Sequence, residues 1–153
     1  MSYHDKKIYK SDNTAEICYN GNSFVISDFS FDRYNYYGDS TDSFFQVFVK
    51  TDGFMGQGRI WFNYNGYDRF VNDLKRMTQF QCFEARIVST YEVDDALLIT
   101  MDKLGHISVC GSISWNDCRL DFNMEADQTV LRSFCLQLED WMTDIRRKRK
   151  RLN

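Results

Sequence analysis

The chain has 153 residues, enough to bury a core within one domain, and its 43% hydrophobic and 16% aromatic content excludes a disordered polypeptide. A mean hydropathy of -0.50 with charges spread along the chain excludes a membrane-spanning segment. Six of the 19 basic residues stand together at Arg146 to Arg151, which leaves residues 1–145 with 13 basic against 22 acidic groups, a net of -9. An acidic body of this kind repels nucleic acid and draws basic partners at long range.

Met1 to Lys10 is polar and mixed in charge, without the apolar core of a secretion signal, so the expected compartment is the cytoplasm. His4 falls in this polar stretch and reads as solvated. Five cysteines, Cys18, Cys82, Cys110, Cys118 and Cys135, form an odd set with no CxxC pair, which favours reduced, buried or half-buried thiols over disulfides or a zinc site. Proline is absent altogether, in keeping with uninterrupted strands and helices.

Asn20-Gly21 is a strong two-residue hairpin signal. Beyond it, Asp32 to Ser43 (Asp-Arg-Tyr-Asn-Tyr-Tyr-Gly-Asp-Ser-Thr-Asp-Ser) has the Tyr, Asn, Ser and Gly content of antibody binding loops. There tyrosine supplies rigid amphipathic area at low entropic cost. Tyr34, Tyr36 and Tyr37, with Asp32, Asp39 and Asp42, are the expected partner-binding residues. The other reading is a long polar loop whose tyrosines fold back on the sheet. Asp52-Gly53 then joins Phe44 to Thr51 with Phe54 to Tyr64, setting Val49 against Gly56, Val47 against Gly58 and Phe45 against Ile60. A helix is predicted from Gly66 to Met77, with Tyr67, Phe70, Val71, Leu74 and Met77 at helical spacing and Asn65 with Asp68 at its start.

The second half gives a four-strand meander whose registers keep one face apolar. A three-residue loop at Asp94-Asp95-Ala96 sets Val93 against Leu97 and Tyr91 against Ile99, with Phe83, Ala85 and Ile87 earlier on that strand. Lys103-Leu104-Gly105 sets Met101 against Ile107, Ile99 against Val109 and Leu97 against Gly111. Asn116-Asp117 sets Ile113 against Leu120, Gly111 against Phe122 and Val109 against Met124. A long amphipathic helix follows, with Asp127 as N-cap and Leu131, Phe134, Leu138, Trp141, Met142 and Ile145 as its buried stripe. The fold class is therefore α+β: a curled antiparallel sheet of seven to eight strands in hairpins and a meander, a mid-chain helix and a long C-terminal helix. Residues 1–145 form one domain and 146–153 a basic tail. Strands followed by a helix, twice over, suggest a repeated plan in element order, without repetition of residues.

No residues gather in a pattern that catalysis or metal binding requires. His106 faces Asp102 beside a turn, but Cys110 lies four strand residues away, roughly 13 Å at about 3.3 Å per residue, so the pair reads as structural. Gly56-Gln57-Gly58 lacks the strand-to-helix context of a phosphate cradle, and both glycines read as close-packing sites. Cys110 and Cys118 face Asn123 and Trp115 and diverge. The expectation is a protein that is not an enzyme and holds no cofactor or metal. The Arg146 to Arg151 run has two readings, a nucleic-acid or anionic-surface patch, or a solvated helix end that complements the helix dipole.

From Tyr67 to Trp141 the chain resembles a known family. The order is a helix at Tyr67-Asp68-Arg69-Phe70-Val71-Asn72-Asp73-Leu74, then strands at Leu97 to Met101, Gly105-His106-Ile107-Ser108-Val109 and Leu120-Asp121-Phe122. A helix opening on Asp127-Gln128-Thr129-Val130-Leu131 completes it. This is similar to the small cytoplasmic immunity proteins that neutralise bacterial polymorphic toxins, the WapI-like group in particular. It departs from that group after the first helix, where Phe80-Gln81-Cys82-Phe83 stands in place of an expected glycine. The resemblance implies a stoichiometric inhibitor that binds a cognate toxin protein and blocks its active site or substrate access. Many such toxins are basic nucleases, which suits the acidic body. It marks no binding residues, so the site expectation rests on the 32–43 loop. The alternative function is a nucleic-acid-binding adaptor working through the basic tail.

Overall fold

The computed structural model describes residues 8–11, 14–32, 43–91 and 94–150, with side chains at 14–30, 43–91, 94–144 and 147. The fold is α+β, with its strands divided between two antiparallel sheets and a helix after each. In the first sheet β1 (Ile8–Ser11) and β2 (Ala15–Tyr19) share one edge of β3 (Asn22–Asp32). β4 (Ser43–Lys50) and β5 (Met55–Phe62) follow on the other side. The second sheet is the meander β6 (Glu84–Val88), β7 (Ala96–Met101), β8 (His106–Trp115), β9 (Cys118–Asp127). Helix α1 (Tyr64–Thr78) closes the first half and α2 (Leu131–Lys150) the second, so the element order does repeat.

Most registers follow the turn chemistry. Asn20 and Gly21 both have positive φ, as do Asn116 and Asp117, the conformation that lets a two-residue turn match strand twist. Gly105, at φ +86, closes the three-residue loop that pairs Met101 with Ile107. Val49 stands opposite Gly56, Val47 opposite Gly58 and Phe45 opposite Ile60. An extra residue enters β3 between Ser27 and Ser30, where Asp28 has a φ of 50. This bulge shifts the alternation by one, so that Phe24, Ile26 and then Phe29 all point inward.

Three local expectations are corrected. The connection between β6 and β7 is longer than three residues: Ala85 pairs with Ile99 and Ile87 with Leu97. The slip is even-numbered, so Ala85 and Ile87 stay inward, whereas Phe83 and Tyr91 become exposed and Val93 lies outside the described residues. Asp95 is the cause, because it is a buried anchor at 1% exposure rather than a turn tip. Its carbonyl accepts from Ser89 N at 2.8 Å, and its carboxylate from Ser114 N and Ser114 Oγ at 2.9 Å each. At α1 the cap is Asn63, whose Oδ1 accepts from Gly66 N at 2.7 Å, so the helix starts before Asn65 and β5 ends at Phe62. Cys18 and Cys118 are exposed; Cys135 alone of the five free thiols is buried.

The core is continuous across both sheets and helices. Phe29 stacks on Trp141 at 4.8 Å and meets Tyr67 at 5.2 Å and Phe62 at 5.6 Å, while Phe24 meets Phe134 at 6.0 Å. Buried Tyr67 donates its hydroxyl to the Leu138 carbonyl at 3.0 Å, tying α1 to α2, and burial holds its phenol well above the usual range. The stripe Leu131, Phe134, Leu138, Trp141, Met142 is buried; the side chain of Ile145 lies outside the described set. Asp127 accepts from Thr129 N at 2.9 Å and caps a short turn, Gln128–Val130, that leads into α2.

α1 ends in a Schellman arrangement. Gln81 N donates to the Arg76 carbonyl at 2.9 Å and Phe80 N to that of Met77 at 3.0 Å, with Phe80 left-handed at φ 57. Glycine is the residue suited to that position, and it is the one absent from the sequence there. Replacing Phe80→Gly should therefore raise stability by up to about 1 kcal/mol, read as a higher melting temperature. An unchanged or lower melting temperature would show that the backbone there is unstrained.

The sheets meet where β5 passes β8 and β9. A Cβ on Gly58 would lie 2.9 Å from Ile113 Cβ and 3.2 Å from the Ser114 carbonyl oxygen; one on Gly56 would overlap the Leu120 side chain. Gly58→Ala should cost about 1–3 kcal/mol in denaturant unfolding, as for overpacking. Gly53→Ala, with nothing within 4 Å, should change stability by less than about 0.5 kcal/mol.

Candidate functional site

Of the residues expected to bind a partner, Tyr34, Tyr36, Tyr37, Asp39 and Asp42 lie outside the described residues, and Asp32 is described only in its backbone, at the end of β3. The two ends of that connection are placed. Asp32 closes β3, and Ser43 opens β4 directly opposite Phe62.

A composite aromatic surface stands at that end. The alternation that turns Gly58, Ile60 and Phe62 inward turns Arg59 and Trp61 outward, and the β4–β5 register puts Phe44 opposite Trp61, rings 4.9 Å apart. The second sheet brings the rest. Thr90 N donates to the Trp61 carbonyl at 2.9 Å, which seats Tyr91 edge-on to Trp61 at 5.2 Å. Trp115, at the end of β8, lies under Arg59, whose guanidinium carbon is 5.3 Å from its ring and 4.4 Å from that of Phe44. Trp115 and Tyr91 remain 43% and 53% exposed.

Charge borders this surface. Arg119 bonds Asp121 through Nε at 3.1 Å and reaches Asp94 at 3.7 Å, an exposed network that lifts the Arg119 pKa. Ser112 and Arg119 together hold the Asp121 carboxyl below the usual range. Asp117 is exposed in the turn beside Trp115. A cavity of about 360 Å³ opens between Arg59, Trp61, Trp115, Asn116 and Arg119. The Arg59 side chain forms no hydrogen bond or ion pair among the described residues, and its Nε is buried without a partner.

Other candidates carry less. His106 Nδ1 stands 3.0 Å from Asp102 Oδ2, and Asp102 also accepts from the backbone N–H of His106 and of Leu104. The His106 backbone bond leads the effects that lower the Asp102 pKa. Both side chains are more than half exposed, and the arrangement closes the loop between β7 and β8. A larger cavity of about 680 Å³ lies between the end of α1 and the start of α2, where Lys75 and Glu139 pair at 3.5 Å. Burial pushes the Cys135 thiol beside it up to about 11, which keeps it protonated and unreactive. Among the described residues no three His, Cys, Asp or Glu side chains gather in a group suited to a metal ion. No described helix is long and apolar enough to cross a membrane. The basic run continues α2 in its backbone through Lys150, with the Arg147 side chain exposed.

No protein-family model matches this chain, and no curated protein matches it. Among solved structures it is similar to one described as crystal structures of Trypanosoma brucei MRP1/MRP2, at 12% identity and a TM-score of 0.45, over 91% of this chain and 86% of that one.

Asp95 ties together the two parts of the aromatic surface that the second half of the chain supplies, because its carboxylate fixes Ser114, the neighbour of Trp115, while its carbonyl fixes the segment carrying Tyr91. Asp95→Ala strands the Ser114 N–H in a part-buried site. The variant should lose about 2 kcal/mol of stability and raise the solvent exposure of Trp115 fluorescence. Full stability would show that the bond contributes nothing.

Proposed function

We propose that this chain is a binding protein that neutralises a cognate bacterial toxin by stoichiometric contact, as the WapI-like immunity proteins it resembles do. It engages the toxin through the surface formed by Phe44, Arg59, Trp61, Tyr91 and Trp115, together with the tyrosines and aspartates that the sequence singles out at 32–42. The observation that carries this reading is the clustering of two tryptophans, a tyrosine and an arginine on one partly exposed face. Those residue types dominate the energy of protein interfaces when they are desolvated by a partner. The tyrosines and aspartates at 32–43 have the composition of a binding loop, and the -9 balance of residues 1–145 favours fast encounter with a basic toxin in the cytoplasm.

The test starts from capture by the tagged chain in lysate of its source. The captured polypeptide is then expressed alone and beside this chain. Expression alone should arrest growth, and co-expression of the wild-type chain should restore it. Trp61→Ala and Trp115→Ala should each weaken binding by about 2 kcal/mol, roughly 30-fold, and reduce the rescue without unfolding the domain. A captured protein that leaves growth untouched contradicts the inhibitor reading. Salt-sensitive recovery of nucleic acid, lost on truncation after Ile145, moves the function to the basic run.

A further inference from the structure

Arg59 is a half-buried cation whose Nε is buried without a hydrogen-bond partner, and its side chain has no carboxylate partner among the described residues. The rings of Phe44 and Trp115, at 4.4 and 5.3 Å, offset part of its desolvation, but a ring face is no substitute for an in-plane acceptor. Of the neighbouring carboxylates, Asp95 is engaged with Ser114, and Asp94 and Asp121 with Arg119, while Asp117 borders the same cavity and makes no ion pair with Arg59 among the described residues. Asp102, Asp127 and Glu125 belong to the far end of the second sheet, where β9 pairs with the start of β8. Removing a cation from water without an anion is unfavourable, and a guanidinium restrained between two rings keeps less freedom to lose when one arrives.

Resting on the reading of this face as the partner surface, we propose that Arg59 anchors a carboxylate side chain of the protein partner. The planar guanidinium matches a carboxylate with two parallel N–H···O bonds. Phosphate would satisfy the same fork, but a polyanion carries repeated charge and would meet Asp94, Asp117 and Asp121 around the aromatic face. A single carboxylate on an otherwise basic protein avoids that repulsion. Arg59 thus sets specificity, while Trp61 and Trp115 supply contact area.

Two measurements on the full chain test this. In the first, the Arg59 Nε–H and Trp115 indole resonances are followed by NMR during titration with N-acetylaspartate, against sodium chloride at matched ionic strength. A saturable shift with N-acetylaspartate alone is expected, and the Trp115 response should weaken at least tenfold in Arg59→Lys, which keeps the charge and loses the fork. No response to N-acetylaspartate overturns the proposal, and a response to oligothymidylate instead assigns the face to nucleic acid. In the second, partner affinity is compared among folded variants. Arg59→Lys and Arg59→Gln should each bind at least tenfold more weakly. Unchanged affinity in both, with loss in Trp115→Ala, overturns the carboxylate anchor and leaves the partner surface standing. Unchanged affinity in Trp115→Ala overturns the surface itself.

Discussion

The close approach of β5 to β8 and β9 is the constraint on which the rest of the structure depends. Gly56 and Gly58 present no side chain on the inner face of β5, and Leu120, Ile113 and the Ser114 backbone occupy the space a Cβ would take. Two separately built sheets can therefore share one core. The same approach decides the outer surface: with Gly58 against Ser114, the residue beside each, Arg59 and Trp115, must meet. Packing inside and chemistry outside follow from one pair of missing side chains.

Around that contact the two halves are held by different means. On the core side the union is aromatic, with Phe24 and Phe29 of the first sheet reaching Phe134 and Trp141 of α2. At the surface it is polar, through Thr90 to the Trp61 carbonyl, while Asp95 to Ser114 braces the second sheet beside that contact. Apolar burial supplies most of the favourable free energy, whereas directional bonds fix where the Tyr91 segment and the β8 end stop relative to β5. An aromatic face assembled from both sheets needs that second kind of restraint, because its rings come from segments distant in sequence.

The sequence made the hairpins legible wherever a turn needed left-handed residues and only one register kept a face apolar. Asn20-Gly21, Gly105 and Asn116-Asp117 are of that kind. It misled at Asp94-Asp95, where an acidic pair imitates a turn but one member is buried on a partner nineteen residues away. The Asp28 bulge was hidden because alternation alone carries no mark of an inserted residue. The β4–β5 register already implied that Phe44 and Trp61 share the outer face. Their meeting with Trp115 and Tyr91 depends on how two sheets pack, which no local pattern encodes. The sequence pointed to the 32–43 connection, whose residues 33–42 lie outside the described set.

The account makes one face, built jointly by both sheets, the place where a partner binds. In the proposed reading the acidic body draws a basic protein near, and exposed Trp115 and Tyr91 with half-buried Trp61 give area. Hydrogen exchange on the chain, free and bound to its captured partner, tests this most directly. The account predicts slowed exchange at residues 33–43, 59–61, 89–91 and 114–119, with the face of α1 and α2 unchanged. Slowing confined to the end of α2, or to the cavity between the two helices, would contradict it.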